Sequence, residues 1–397
     1  MTNPHRIHLG VALDGAGIHP AAWREPSARP DELFTPDYWV GLVQLAEQGL
    51  LDFATIEDSL ALQSSERLHD DDRTDEVRGR LDALLIASRV APVTHSIGLI
   101  PTVTTTHTEP FHVSKAVATL DYTSEGRAGW QARLSIGSDH THFGRRDPAE
   151  FLETLERAST ADIGDLFAEA NDFVEVVRRL WDSWEDDAEI RDASTDRFLD
   201  AAKVHRVEFE GRWFSVRGPS ITPRPPQGQP VVASLGHAQV PYEFAAASSD
   251  LLFVTPSDVA SAVSILSEVR AAEQNVGRAG EPLSVYVDVA VFLDGPEETG
   301  AARLARLDAK GRTLEQPPAV FAGSASELVE HFETLSALGY DGFRLHPGVV
   351  TDDLPRIVAD VVPLLQQKGL FRERYEARSL RGLLGLPTTV PNRYAAV

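Results

Sequence analysis

The chain has 397 residues, 42% of them hydrophobic, which is enough to fill one large core. It carries 37 Lys and Arg against 60 Asp and Glu, and this net charge of −23 disfavours nucleic acid as a partner because phosphates are also negative. Cysteine is absent, which excludes disulfides and thiol nucleophiles, and the apolar stretches are too short for a membrane span or a signal peptide, so a cytoplasmic location without a membrane partner is expected.

Short β-branched runs alternate with longer amphipathic stretches along the chain. The predicted strands are 7–13, 52–56, 95–100, 130–136, 230–234, 251–255, 283–292 and 341–345. The predicted helices that follow them in turn are 36–48, 75–90, 110–122, 150–184, 241–249, 257–275, 324–338 and 352–367. Eight strand–helix units predict an α/β fold, a (β/α)8 TIM barrel that forms a single domain over residues 1–397. A doubly wound open sheet is the alternative, although the glycines of VALDGAG are not followed directly by a helix.

Two long segments interrupt this repeat, one after the fourth helix and one after the seventh strand. The first, 185–229, contains VEFEGRWFSVRG, in which two short alternating runs around Glu210 and Gly211 predict a hairpin. The second, 294–322, is polar and would lie at the C-terminal face of a barrel, where long loops often act as lids. A disordered surface excursion is the alternative interpretation of this second segment.

The fourth predicted strand has polar residues where a buried strand should be apolar. Gln131, Arg133 and Ser135 share one face because side chains alternate along a strand. An interior Arg133 would need a partner, and Glu57 or Asp58 at the end of the second strand would supply one. Two interpretations remain open and are compatible: a salt bridge across the top of the barrel, or a polar floor for a ligand with hydrogen-bonding edges, such as a flavin.

The segment LGHAQVP, residues 235–241, is a short strand-to-helix turn. Backbone N–H groups at a helix start attract a phosphate, and His237 would add a cationic donor. An ordinary turn between a strand and a helix is the alternative.

Two histidines in alternate positions, His140 and His142, follow the fourth strand and raise the question of a metal. Barrel metallohydrolases usually place such a pair on the first strand, which here offers only Asp14. We therefore predict no metal site and interpret this segment as a polar loop over the site.

Several motifs together carry a family resemblance. TLDYTSEGRAGWQARLS (119–135) resembles the strand-four signature of the luciferase-like flavin monooxygenases, in the branch of the nitrilotriacetate and dibenzothiophene-sulfone monooxygenases, which typically reads LDHLSGGRAGWN there. Further segments that resemble this branch are IGLIPTVTTTHTEPFHVSKAVATLD, FVEVVRRLWDSWEDDAEI, VHRVEFEGRWFSVRGPSITPRPPQGQPVV and GLFRERYEARSLRGLLGLP. The resemblance covers nearly the whole chain. It implies a two-component monooxygenase that takes reduced FMN from a separate, transiently bound reductase, uses O2 on a small organic substrate, and forms a homodimer or homotetramer.

The resemblance also implies site residues. Carried over position by position, it places at the FMN the residues Asp58, Thr102, Thr104, Gln131, Gly236 and His237. The strand residues Arg133 and Ser234 complete the predicted cofactor site. The predicted catalytic groups, which would form hydrogen bonds over the flavin, are His107, His140 and His142.

The chain departs from the branch at two positions. The branch often has a histidine and, four residues later, a tyrosine before the long fourth helix, where this chain has Ile163 and Phe167. The loss of two polar groups predicts weaker flavin binding. It leaves open a deazaflavin- or nicotinamide-linked oxidoreductase on the same barrel, a flavin-binding protein without catalysis and, third, a metallohydrolase.

Overall fold

The computed structural model describes residues 6–64, 71–135, 138–143, 160–311, 313–314 and 318–395. For residues 140, 141 and 160–163 the description covers the backbone alone. Within the described ranges, the helices are too short or too polar to cross a membrane.

Strands and helices alternate through these ranges. The strands are β1 (His8–Leu13), β2 (Phe53–Ile56), β3 (Gly98–Thr104), β4 (Gly129–Arg133), β5 (Glu189–Asp192), β6 (Arg197–Leu199), β7 (Phe209–Glu210), β8 (Ser215–Val216), β9 (Val231–Leu235), β10 (Leu251–Val254), β11 (Ser284–Leu293), β12 (Ala319–Gly323) and β13 (Gly342–Pro347). The α-helices are α1 (Pro36–Gln48), α2 (Ala83–Val90), α3 (Pro110–Thr123), α4 (Thr160–Asp182), α5 (Gln239–Ser248), α6 (Val259–Asn275), α7 (Gly300–Asp308), α8 (Ala325–Ser336), α9 (Val350–Arg356), α10 (Val362–Gln367) and α11 (Leu380–Leu383).

Eight of these strands form a closed parallel barrel. Around the ring the order is β1, β2, β3, β4, β9, β10, β11 and β13, and β13 pairs with β1 while β10 pairs with β11. They are the eight strands that the hydrophobic pattern predicts, with bounds that differ by a few residues. The (β/α)8 barrel is therefore confirmed, and the open sheet is excluded because the ring has no free edge.

The GRAG segment, residues 126–129, leads into β4 and lies away from the C-terminal end of the barrel. Gly126 has a φ of +88°, in the left-handed region that favours glycine. Gly129 faces the interior, where an added Cβ would lie 3.1 Å from a methyl carbon of Leu380. The buried guanidinium of Arg127 donates to backbone carbonyls of segment 91–97. These residues fix how the chain enters the strand.

The N-terminal half of the barrel interior is apolar. The buried side chains that fill it are Phe53, Ile100, Val231, Ala233, Leu251, Phe253, Tyr286, Leu380, Leu384 and Leu386. Three of its four leucines, Leu380, Leu384 and Leu386, come from the C-terminal segment around α11, which closes this end of the ring. A ligand therefore has access to the interior only from the opposite, C-terminal end.

The first inserted segment, 185–229, contains the predicted hairpin. Phe209 and Glu210 of β7 pair with Val216 and Ser215 of β8 in antiparallel register. A second small hairpin, β5 with β6, precedes it and is not predicted from the sequence.

The described part of the second inserted segment, 294–322, is folded onto the barrel. The buried Arg303 of its helix α7 forms an ion pair with the buried Asp353, and β12 pairs with the end of β11. Glu25 from the loop after β1 accepts two hydrogen bonds from Arg306 of α7, at 2.7 and 2.8 Å. The interpretation as a disordered excursion is therefore wrong for the described residues, because both elements have fixed partners.

Candidate functional site

The C-terminal end of the barrel interior is polar, in contrast to the apolar half below it. Side chains alternate along β4, so Trp130 packs outward against α3 and α4, while Gln131 faces inward. Around the ring at the level of Gln131 lies a set of five interior side chains that we call the polar floor: Thr55, Thr102, Gln131, Asp288 and Arg344.

Arg344 of β13 is the centre of the polar floor, and it is only 2% exposed. Its Nε and Nη2 atoms donate to the two carboxylate oxygens of Asp288 at 2.7 and 2.6 Å, a bidentate pair across neighbouring strands. Its Nη1 donates to Oε1 of Gln131 at 2.6 Å. The guanidinium also lies over the ring of Phe253, 3.8 Å from the ring centroid. Three neighbours on three different strands thus hold one cation.

Asp288 stays ionised in this buried position. Burial alone would raise the pKa of its carboxyl, but the charges of Arg344 and His346 outweigh that effect and hold the pKa at about 2. The Nε2 atom of His346 lies 3.3 Å from Asp288 Oδ1. The pair of Asp288 and Arg344 is therefore charged at every pH near neutrality.

Glu57 joins the polar floor to the rim of the barrel. Its Oε1 lies 3.5 Å from Nη1 of Arg344, and its Oε2 lies 3.6 Å from Nη1 of Arg133. Two carboxylates, Glu57 and Asp288, thus face two guanidiniums. Because these charges cancel, the end of the barrel offers hydrogen-bonding groups rather than a net charge.

Two polar groups of the floor have hydrogen-bonding capacity to spare. The hydroxyl oxygen of Thr102 is buried and has no hydrogen-bond partner among the described residues. Its register neighbour Gln131 uses its oxygen for Arg344, and within the described chain its N–H2 group has no acceptor. A buried group without a partner is costly, so such groups indicate a ligand or water.

Arg133 corrects one prediction and confirms another. It lies on the Gln131 face of β4, but its side chain is 45% exposed rather than buried, because the strand ends there at the rim. The predicted ion pair with Glu57 is present, and Arg133 also donates to the backbone carbonyl of Asp58 at 3.0 Å. The buried arginine of this end of the barrel is Arg344 instead.

Asp58 accepts hydrogen bonds from the protein itself. One carboxylate oxygen accepts from the N–H of Ala83, where α2 begins, and the other from the N–H of Ser59, at 2.9 and 2.7 Å. Burial raises the pKa of this carboxyl, against the effect of those two bonds. The geometry gives Asp58 a role in holding α2, and its contact with a flavin stays a prediction.

Ser234 of β9 does not face the polar floor. Its neighbours Val231 and Ala233 belong to the interior cluster, and the alternation turns Ser234 outward, where its hydroxyl lies 3.1 Å from that of Ser249.

The turn after β9 lies at the mouth, as expected for residues that follow a barrel strand. An added Cβ on Gly236 would lie 2.9 Å from the ring of Tyr242, so the turn packs closely on α5. Ala238, the residue before α5, has no side-chain hydrogen bond to offer to the first N–H groups of the helix. His237 has its Nδ1 atom 3.0 Å from the hydroxyl of Thr255, and burial lowers the pKa of its imidazole.

The histidines predicted to be catalytic lie around the rim. The His107 ring stacks on Phe143 with 4.8 Å between centroids, and His142 is exposed with its Nδ1 3.2 Å from the carbonyl of Leu60. The His140 side chain lies outside the described residues. Thr104, predicted at the cofactor, is buried at the end of β3 opposite Arg133.

Two further predictions concern the metal and the fourth helix. Among the described residues no group of three or more His, Cys, Asp or Glu has the arrangement of a metal site. Phe167, one of the two departures from the branch, packs against Phe244 of α5 with 5.5 Å between ring centroids, and the side chain of Ile163 lies outside the described residues. Phe167 thus replaces a polar group with an apolar contact between helices.

Arg344 and Asp288 are not among the predicted site residues. Each lies between two buried apolar residues of its strand, Phe343 and Leu345 for Arg344, and Val287 and Val289 for Asp288. That pattern is a usable signal, because a charge on the interior face of a barrel strand needs an opposite charge on a neighbouring strand.

The residues at this end of the barrel fit a flavin. Its ring system is apolar on both faces and carries hydrogen-bonding atoms along one edge, which matches the spare groups of Thr102 and Gln131. The uncapped start of α5 and His237 fit a phosphate.

Comparisons with known proteins agree with this geometry. A profile described as luciferase-like monooxygenase matches residues 16–312. N-acetyl-S-(2-succino)cysteine monooxygenase of Bacillus subtilis (strain 168) is 30% identical, over 98% of this chain and 98% of its own. Nitrilotriacetate monooxygenase component A of Aminobacter aminovorans is 29% identical, over 96% of each chain. The solved structure of EDTA monooxygenase from Chelativorans sp. BNC1 has a TM-score of 0.80 at 22% identity and covers 96% of this chain and 99% of that chain.

The family profile spans most of the barrel, and the relatives align over almost the entire chain. The chain therefore belongs to the luciferase-like monooxygenase family, in the branch of the nitrilotriacetate and dibenzothiophene-sulfone monooxygenases, and is a flavin-dependent monooxygenase.

Proposed function

We propose that the protein is the oxygenase component of a two-component system, which binds reduced FMN delivered by a separate reductase and uses O2 on a small organic substrate. The observation that carries the cofactor is the polar floor, where Thr102 and Gln131 have unused hydrogen-bonding groups at the C-terminal end of the barrel interior. A relative named as component A supports the division into two proteins. The reductase contact is transient, since only the flavin has to pass between them.

The proposed contributions of individual residues follow from their places. Bound reduced flavin supplies the reaction with O2, and the protein contributes binding, orientation and exclusion of water. Gln131 and Thr102 would hold the ring edge, and Gly236 with His237 would hold the phosphate. His107 and His142 at the rim, with His140, are proposed to form hydrogen bonds over the ring.

The second inserted segment is proposed to help exclude water. Residues 294–322 follow the C-terminal end of β11, and their helix α7 is tied to the loop after β1 through Glu25 and Arg306. A covering element held at two points keeps one arrangement over the mouth more readily than a free loop. We also propose a cytoplasmic homodimer or homotetramer, which light scattering of the purified protein would test.

The central experiment is an anaerobic titration of the purified protein with reduced FMN and an aerobic one with oxidised FMN, followed by tryptophan fluorescence and flavin absorbance. We expect saturable binding at about micromolar concentration or weaker, since Phe167 replaces a polar group. A reduced deazaflavin and reduced nicotinamide serve as comparators. Absence of FMN binding at millimolar concentration, or preference for a comparator, would contradict the cofactor.

Turnover tests the substrate class and the need for a reductase. A flavin reductase, O2 and a panel of small sulfur- and nitrogen-containing compounds are combined with the protein, and substrate loss is measured by mass spectrometry. Oxidation of one panel member that needs both proteins supports the proposal. Oxidation without a reductase would contradict the two-component system, and FMN binding without turnover of any panel member would contradict these classes of substrate.

A further inference from the structure

The orientation of the Gln131 side chain is set by Arg344. We propose that Arg344 is a positioning residue, which fixes Gln131 so that it meets the flavin as a hydrogen-bond donor. This inference rests on the proposed function, because it takes the flavin as the ligand above the polar floor. It assigns a role to a side chain that lies below the ligand and acts through its neighbour.

The chemistry of the two side chains allows one orientation only. A carboxamide has an accepting oxygen at one end and a donating N–H2 group at the other, whereas a guanidinium has donors alone. Arg344 Nη1 lies 2.6 Å from Gln131 Oε1. Turning the amide over would bring two donors face to face, so the assignment of oxygen and nitrogen follows from Arg344.

Arg344 is itself fixed. Both oxygens of Asp288 hold it at 2.6 and 2.7 Å, and the ring of Phe253 covers one face of the guanidinium at 3.8 Å. Thr55 and Glu57 each approach its Nη1 at 3.5 Å. These contacts hold the guanidinium in one arrangement, and the bond to Gln131 therefore restricts the rotation of the amide before any ligand arrives.

The consequence for a ligand is a pair of directed groups. The N–H2 of Gln131 has no acceptor within the described chain, and the buried hydroxyl of Thr102, in register with Gln131 on the next strand, has no described partner either. An amide donor beside a hydroxyl suits an edge with carbonyl oxygens and ring nitrogens, which a flavin has. An amide held the other way would turn its oxygen towards these carbonyl oxygens and could not donate to them.

The first test is Gln131→Glu. An ionised carboxylate keeps an accepting oxygen for Arg344 but has no N–H to offer, so the bond to Arg344 stays while the donor is lost. We expect the variant to stay folded without flavin, with a thermal unfolding midpoint close to that of the wild type, and the FMN affinity to fall at least tenfold. The midpoint potential of bound flavin should also fall, because a carboxylate disfavours added negative charge on the ring.

The matched control is Tyr286→Phe. It removes a buried hydroxyl from the apolar half of the barrel interior, where that hydroxyl has no partner among the described residues, and leaves the polar floor in place. We expect its FMN affinity and flavin potential to equal those of the wild type. A general effect of changing the barrel interior would instead move both variants together.

A mutant cycle then asks whether Arg344 acts through Gln131. Replacing Arg344 and Asp288 together, as Arg344→Met with Asp288→Leu, avoids a buried unpaired charge and frees the amide. We expect this pair to weaken FMN binding severalfold. In a protein that already carries Gln131→Leu, the same double replacement should not lower the FMN affinity further, because there is no amide left to orient.

The outcomes are distinct. Failure of the wild type to bind FMN would overturn the proposed cofactor and with it this inference. Wild-type binding together with unchanged affinity and potential in Gln131→Glu, or full additivity in the cycle, would overturn the positioning role alone. Loss of affinity in Gln131→Glu with unchanged melting, and no additivity in the cycle, supports it.

Discussion

Two arginines at one end of the barrel show that a difference of one layer in depth decides the environment of a charge. Arg133 is the last residue of β4 and its side chain is 45% exposed, whereas Arg344 lies one layer deeper on β13 and is 2% exposed. Water screens the first, and Asp288 must neutralise the second. The alternation of side chains in the sequence predicts the face of Arg133 correctly but carries no information on depth.

The two arginines should therefore differ in their effect on stability. Arg344→Ala leaves Asp288 charged and buried without a partner, which should lower the free energy of unfolding by about 3–5 kcal/mol. Arg133→Ala removes an exposed ion pair with Glu57 and should cost less than about 1 kcal/mol. Urea denaturation of both variants without flavin measures the difference. Equal losses would mean that depth in the barrel does not govern these charges.

His237 gives a prediction on the phosphate. Burial lowers the pKa of its imidazole, so in the free protein the ring is neutral at pH 7. Its contact with a phosphate should then strengthen as the pH falls and the ring becomes charged. His237→Ala should reduce the ratio of FMN to riboflavin affinity by about 2- to 10-fold at pH 7, and by about 10- to 100-fold at lower pH. Titration of both flavins across this range is the measurement. If the ratio is the same in His237→Ala and the wild type at every pH, the phosphate does not contact His237.

At the scale of the residue, part of the site follows from the sequence. Gln131 is predicted at the floor because its face of β4 is polar within a buried strand, and Glu57 is predicted as the partner of Arg133. Arg344 and Asp288 are not predicted, because each is a single charge whose partner lies far away in the sequence. Only the closed ring brings β11 and β13 side by side.

At the scale of the element, hydrophobic periodicity predicts the barrel well. Buried parallel strands are continuous apolar runs and their helices have one apolar face, so each signal is local. The pairing of β12 with the end of β11, and the hairpin of β5 with β6, depend on distant or weakly apolar partners. These elements, together with helices α7 and α11, are therefore among those that the sequence does not predict.

Glu25 is the buried carboxylate that ties helix α7 to the loop after β1. The hydrogen bonds from Arg306, outweighing burial, lower the pKa of Glu25 to about 2, from an ordinary value of 4.5. A lowered pKa means that the stabilisation is present above about pH 4.5 and is lost as the pH falls towards 2. Glu25→Gln should therefore destabilise the protein at pH 7 by about 1–3 kcal/mol. It should also flatten the decline of stability between pH 5 and pH 3 relative to the wild type, as measured by urea denaturation.

The control for this prediction lies on the same loop. Glu32 forms an exposed pair with Arg29, with both side chains 44% exposed. Glu32→Gln should change the free energy of unfolding by less than about 0.5 kcal/mol and keep the wild-type pH dependence. If Glu25→Gln behaves like Glu32→Gln, the tie between α7 and this loop contributes little.

At the scale of the whole molecule, the barrel has two ends with different tasks. The N-terminal end is closed by leucines of the C-terminal segment, and the C-terminal end has the polar floor. Stability and binding are thus concentrated in different layers of one interior. Changes at the closed end should alter stability and leave binding unchanged.

Leu380 tests this separation. Its side chain is fully buried, fills the space beside Gly98 and Gly129 at the start of β3 and β4, and belongs to a segment near the end of the chain. Leu380→Ala should lower the free energy of unfolding by about 2–5 kcal/mol because it leaves a cavity that glycines cannot fill. Below its unfolding temperature the variant should bind FMN with wild-type affinity, since the polar floor lies at the other end. The exposed Val320→Ala is the control and should change neither quantity, and a marked loss of FMN affinity in folded Leu380→Ala would show that the two ends are coupled.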